Sequence, residues 1–216
     1  MSLRLHTYWR SSAAYRVRIA LAMKGLQYES VPLHLLRGGG EQRGSEYLAT
    51  NPQGLVPALE HDGRVLTQSL AICEYLEELA PRPALLPSGA YGRATVRAMA
   101  LLVACDIHPL NNLSVLQYLR GELGQDDASV NRWISHWIAR GFGALEQLIG
   151  RHSGDGLHCY GDGVTLADVF LVPQVANSRR VQLDLSPYPR LARVAQHLES
   201  LPEFAAARPE AQPDAE

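Results

Sequence analysis

The spacing of apolar and polar residues changes period several times along this chain. Leu3–Tyr8 alternates, as a half-buried strand does. From Ser12 to Lys24, Val17, Ala20, Leu21 and Lys24 fall at helical spacing, and Gly25 stands where a C′ glycine ends a helix. Tyr28–Leu33 reads as a second strand, rich in residues that suit a pleated surface. A polar, glycine-rich loop (Arg37–Gly44) follows, then a short helical piece near Ser45–Thr50. Val56–Glu60 and Val65–Thr67 flank His61-Asp62-Gly63, whose Asp-Gly pair predicts a hairpin. Leu70–Leu79 is again helical and stops before Pro81.

Strand, helix and strand followed by hairpin and helix predict an α/β thioredoxin-like N-terminal domain over residues 1–81, with a right-handed first crossover. Pro81–Ser88 holds three prolines and reads as a linker. Beyond Gly89 the pattern is helical throughout, near Arg93–Asp106, Pro109–Glu122, Asp126–Ile149, Leu166–Ser178 and Pro189–Leu198. An all-α domain over residues 89–207 is therefore expected. The Pro-, Ala- and acid-rich tail, 208–216, is expected to be disordered.

Composition narrows the function classes. A formal charge of −2 offers no basic field for nucleic acid. The start lacks an apolar signal-peptide core, and no apolar run reaches the ~18–20 residues of a membrane span. Cys73, Cys105 and Cys159 are odd in number and in no CxxC pattern, which argues against a disulfide framework or a metal site and fits a reducing cytoplasm. Cys73 and Cys105 sit on apolar helical faces and are expected to be inert core residues. Thr165-Leu166-Ala167-Asp168 reads as a relative of the capping box, with a role in folding.

Three separated segments carry a resemblance. Ser11-Ser12-Ala13-Ala14-Tyr15-Arg16-Val17-Arg18-Ile19-Ala20-Leu21 is similar to the signature SSCxxRVRIAL of zeta-class glutathione transferases. Asn51-Pro52-Gln53-Gly54-Leu55-Val56-Pro57-Ala58-Leu59 and Leu66-Thr67-Gln68-Ser69 resemble that family's glutathione-binding segments. The likeness covers essentially the whole chain. It departs at Ala13, where many members carry cysteine, leaving the serines as candidate hydrogen-bond donors.

The resemblance implies glutathione as cofactor, a small dicarboxylate as substrate, and a homodimer. Ser11, with Ser12 second, is the candidate partner of the glutathione sulfur. At the junction of strand and helix, a thiolate meets unsatisfied N–H groups and the positive end of the helix dipole. A serine there also serves as an ordinary N-cap. The resemblance implies a cis peptide between Val56 and Pro57, with Val56 facing the cysteinyl part of glutathione. Gln68 and Ser69 are placed at the γ-glutamyl carboxylate, where a helix start suits an anion, and Gln42 at the glycyl end. Pro109 should break a long helix and turn His108, Asn112 and Ser114 into a substrate cleft. Arg180 aligns with the family's substrate arginine, while Arg10 borders the serine loop; carboxylates need such charge-assisted donors. Arg16 and Arg18 are read as solvent-facing or interdomain.

The activity expected is cis–trans isomerisation of maleylacetoacetate to fumarylacetoacetate. Leu113-Ser114 favours that substrate over maleylpyruvate. An α-haloacid-processing transferase and a non-enzymatic interaction protein on the same fold are the rivals.

Overall fold

Four strands form one sheet in the order β2-β1-β3-β4: β1 (Leu3–Thr7), β2 (Glu29–Pro32), β3 (Ala58–His61) and β4 (Arg64–Thr67). The computed structural model describes residues 2–216. β1 pairs parallel to β2, with Leu5 opposite Ser30, and antiparallel to β3, with Leu5 opposite Leu59. A parallel pair needs a crossover, and α1 (Ser12–Met23) supplies it. β3 and β4 join through Asp62 and Gly63, at φ 47° and 79°; two positive φ values are what a type I′ hairpin turn requires. The thioredoxin-like reading of this half is borne out, with α2 (Ser45–Thr50) and α3 (Ser69–Leu79) completing it.

The chain divides into two units, Met1–Ala84 with Ser200–Glu216, and Leu85–Glu199. Two expectations need correction here. Leu85 and Leu86, read as linker, are buried in the second unit, where the Leu85 carbonyl accepts the Leu166 N–H at 2.8 Å. The chain end, expected to be disordered, is folded. After α9 (Pro202–Ala207) come a 3₁₀ turn, Pro209–Ala211, and hydrogen bonds that reach as far as Trp9. Composition misled because the tail's acids have partners elsewhere in the first unit: Asp214 accepts the Trp9 N–H, and Glu216 pairs with Arg37.

In the same unit α1 packs against α3 and α9. Arg16 and Arg18 are only 1% exposed, so neither faces solvent. Burying a cation costs several kcal/mol unless its donors are met. Arg18 meets them with the Ala207, Tyr8 and Trp9 carbonyls and the Thr7 hydroxyl, at 3.0–3.4 Å. Burial pushes its pKa down to about 10, still far above neutral, so the guanidinium remains charged.

The second unit is helical: α4 (Ala90–Leu101), α5 (Leu113–Gly121), α6 (Asp127–His152), α7 (Leu166–Arg179) and α8 (Pro189–Glu199). Between α4 and α5 the helix loosens into a π segment, Leu102–Ile107, and tightens into a 3₁₀ turn, His108–Asn111, at Pro109. The stretch 90–121 does contain an 18-residue window of mean hydropathy 1.3, contrary to the expectation that no run is apolar enough to span a membrane. It is broken at Pro109, and Val96, Met99, Ala100, Val103 and Ile107 are turned into the core. Gly141 of α6 leaves room for Ile107, whose Cδ1 would lie 2.2 Å from a Cβ there. Cys73 and Cys159 are buried, and burial pushes the Cys73 thiol up to about 12. Cys105 is exposed; the π segment rotates it off the apolar face that regular spacing assigned to it.

Candidate functional site

Ser11 is the N-cap of α1. Its backbone is extended (φ −70°, ψ 115°), and its Oγ accepts the Ala14 N–H at 3.2 Å. Ser12 is the first helical residue and is buried. Tyr8–Ser11 is a turn closed by the Ser11 N–H on the Tyr8 carbonyl at 2.9 Å. The first turn of α1 carries no acidic side chain, so the positive end of this helix is not neutralised by a carboxylate of its own. Arg10 is exposed on the turn, its guanidinium 5.4 Å from the Trp9 ring centroid.

Val56 and Pro57 are buried, and the peptide between them is cis. The β3 ladder begins only at Ala58, so the Val56 backbone lies outside sheet pairing. Val56 packs in one cluster with Tyr8, Tyr47 and Ala58, which ties it to the turn before Ser11. The carbonyl of the preceding Leu55 is held from two sides, by Tyr47 Oη at 2.6 Å and Asn51 Nδ2 at 2.7 Å. Both supports escaped the sequence reading; Asn51 stood inside the quoted segment without a role.

Gln68 sits immediately before α3 with φ +69° and ψ 116°. A left-handed φ is uncommon outside glycine, and such residues cost about 1–3 kcal/mol where they persist. Its Nε2 donates to Gln53 Oε1 at 3.0 Å. Ser69, the first residue of α3, is buried, and its Oγ accepts from Arg16 Nη1 at 3.2 Å. Like α1, α3 has no acid in its first turn.

Gln42 is buried in the 3₁₀ turn Glu41–Arg43, where its Nε2 donates to the Leu35 carbonyl at 3.4 Å and its Oε1 is buried without a partner. Gly40, at φ 104°, makes room for it: a Cβ there would stand 2.6 Å from Gln42 Nε2. This donor and acceptor set, with an orphaned buried amide oxygen, fits a peptide-like cofactor. Around the nearby loop lies an open cavity of about 400 Å³, lined by Arg37, Gly38, Glu41 and Arg43 among others.

The remaining candidates lie in the second unit. Asn112 is the N-cap of α5, and its Oδ1 accepts from both the N–H and the Oγ of exposed Ser114, at 3.1 Å each. His108 begins the 3₁₀ turn and is half-buried. Its neighbour Asn111, unremarked in the sequence, is buried with neither amide atom hydrogen-bonded. Arg180 is exposed at the C-cap of α7. Arg179 is instead held by Glu199 in a two-point ion pair at 2.7 and 2.9 Å.

The expected capping box at α7 is present. Buried Asp168 accepts the Thr165 N–H and Oγ1 at 2.8 Å and the Cys159 N–H at 2.7 Å. Burial raises its carboxyl pKa against the pull of those donors.

Comparison with known proteins fits this geometry. Family models described as the N-terminal and C-terminal domains of glutathione S-transferase match residues 1–78 and 127–197. The maleylacetoacetate isomerase of Pseudomonas aeruginosa is 53% identical over 98% of both chains. Among solved structures, the holo form of a bacterial zeta-class maleylpyruvate isomerase has a TM-score of 0.95 at 48% identity, covering 99% of this chain and all of that one. The glutathione-bound maleylacetoacetate isomerase of Anaeromyxobacter dehalogenans has a TM-score of 0.88 at 46% identity, over 100% and 98%. The chain therefore belongs to the glutathione transferase family, in its zeta class, with the maleylacetoacetate and maleylpyruvate isomerases.

Proposed function

We propose that this chain is a glutathione-dependent cis–trans isomerase converting maleylacetoacetate to fumarylacetoacetate. The observation that carries the reading is the start of α1, where a serine cap stands over a helix terminus with no carboxylate of its own, in a chain 53% identical over 98% of its length to an isomerase of that name. Glutathione, when bound, supplies a thiolate that adds to the olefinic carbon, lowers the bond order so that rotation occurs, and is then expelled unchanged.

The chain's own residues hold charge and position. Ser11, with Ser12 beside it, donates to the sulfur anion and, with the helix dipole, lowers the thiol pKa, as helix N-termini do for protein cysteines. The Val56 backbone next to Pro57 binds the cysteinyl portion. Gln68 and Ser69 receive the γ-glutamyl carboxylate at the start of α3, backed by the buried Arg16. Gln42 meets the glycyl end. His108, Asn112 and Ser114 line the substrate side. Arg180 and Arg10 supply charge-assisted donors to the substrate carboxylates and the developing enolate. The working form is a homodimer in the cytoplasm.

Maleylpyruvate is the second reading, favoured by the 0.95 TM-score to an isomerase of that name. Leu113-Ser114, without a basic pair, favours maleylacetoacetate. Steady-state kinetics on both substrates, with and without glutathione, test the proposal. The expected result is a higher kcat/KM for maleylacetoacetate and none without glutathione. Full activity in its absence refutes the isomerase mechanism.

A further inference from the structure

We infer that Asp214, at the far end of the chain, is a positioning residue for the turn that carries Ser11; the inference rests on the glutathione reading above. β1 stops at Thr7, so the central residues of the Tyr8–Ser11 turn, Trp9 and Arg10, have no ladder to hold their peptide groups. Trp9 is nonetheless fixed at both ends. Its N–H donates to Asp214 Oδ2 at 2.9 Å, and its carbonyl accepts from Arg18 Nη2 at 3.1 Å. Both partners are charged groups, whose hydrogen bonds are roughly twice as strong as neutral ones.

The segment that delivers Asp214 is built for the purpose. α9 is docked on α1 by Tyr15 Oη donating to the Phe204 carbonyl at 3.3 Å and by Arg18 Nε donating to the Ala207 carbonyl at 3.0 Å. Gln212 then folds the chain end back, its Nε2 donating to the Ala206 and Arg208 carbonyls at 3.0 and 2.9 Å. Glu216 closes the strap on the glycine-rich loop, 2.7 Å from Arg37 Nη2 and 3.5 Å from His34 Nε2. The strap thus spans the serine turn and the loop that carries Gln42. That last ion pair is exposed and weak; the bond to Trp9 is the specific one. Asp214 even leaves its Oδ1 buried without a partner, a cost a solvated tail avoids.

Placement is what this contact controls. A shift of about 1 Å in a reacting group costs about 10²-fold in rate, even when its cause lies away from the chemistry. Asp214→Ala frees the Trp9 peptide and lets the Ser11 hydroxyl drift from the sulfur. Asp214→Asn keeps an oxygen acceptor in place. Gln212→Ala unlatches the strap without touching the turn.

The test is a titration of the thiolate absorbance of glutathione bound to the full-length wild type and to each variant, alongside kcat/KM. Asp214→Ala should raise the bound-thiol pKa by about one unit and lower kcat/KM about tenfold. Gln212→Ala should move both the same way by less, and Asp214→Asn should stay within about twofold. An unchanged bound-thiol pKa in Asp214→Ala, even with a lowered melting temperature, would make the residue merely structural and overturn the proposal. So would Asp214→Asn raising the thiol pKa as far as Asp214→Ala, since the retained oxygen acceptor would then not be what positions the turn. Should Asp214→Ala fail to fold, an unaltered Gln212→Ala overturns it instead. A wild type that binds no glutathione thiolate defeats the glutathione reading itself, and that arm is read independently of the variants.

Discussion

The starts of α6, α7 and α8 in the second unit differ from those of α1 and α3 in the first. In the second unit each of α6, α7 and α8 has a carboxylate of this chain at its positive end. Asp126 caps α6 by accepting the Ser129 N–H at 2.7 Å, and Asp168 closes the box at α7. Glu146 takes the Arg190 and Leu191 N–H groups of α8, at 3.2 and 2.9 Å. In the first unit α1 and α3 begin on Ser11 and on Gln68-Ser69, with no acid in either first turn. α4 and α5 also begin without an acid in the first turn, so an open start is not by itself a ligand site; on the proposed reading those of α1 and α3 are the two that receive an anion. A helix start lacking its own acid, beside a buried cation such as Arg16, is thus a different object from an ordinary cap.

Breaking a neutralised start should cost stability. Asp168→Ala strands three donors in a fully buried place and is expected to destabilise by about 3 kcal/mol or more in denaturant unfolding. Breaking an open start should cost chemistry. Ser11→Ala is expected to lower kcat/KM about 10²-fold while costing only about 1 kcal/mol of stability as a lost cap. A Ser11→Ala loss seen in stability alone would erase the distinction. Giving α1 an acid of its own sharpens the comparison: Ala13→Asp should raise the KM for glutathione about tenfold by like-charge repulsion. At α3, Gln68→Gly should relieve the left-handed backbone and add about 0.5–1 kcal/mol to stability, with weaker glutathione binding by calorimetry. The smallest effect lies at α6. Bonds from Ser129 lower the Asp126 pKa from its ordinary 3.8. Its contribution is therefore complete above that value and lost as pH falls through the lower folded value. Asp126→Asn, also a good cap, should leave neutral-pH stability unchanged and remove that part of the acid limb, measured as melting temperature against pH.

Much of the fold was legible because its signals are local. Gly25 ends α1 with φ 64°, Asp62-Gly63 makes the hairpin, and Thr165 with Asp168 starts α7. What was not legible depends on distant partners. Nothing near Arg18 announces that its acceptor is Ala207, or that Trp9 meets Asp214, 189 and 205 residues away. The tail looked disordered for that reason, since its acids are solvating groups until Trp9 and Arg37 are brought beside them. Cys105 shows a subtler failure: periodicity assumes a regular helix, and the π segment changes the face. At the candidate site, the serines, Gln68 and Ser69 stood out by motif, and Gln42 only by what the resemblance implied for its loop. The supports that aim them, Arg16, Tyr47 and Asn51, gave no signal apart from lying within or near those motifs.

On the proposed reading, glutathione is a returning nucleophile and not a consumed reagent. The most direct test of that reading is a proton NMR time course of maleylacetoacetate with the purified protein and glutathione well below the substrate concentration. Complete conversion to the fumaryl isomer is expected, with all of the free glutathione recovered. Conversion that stops once the glutathione is used up, or that proceeds equally without it, would rule out a returning nucleophile.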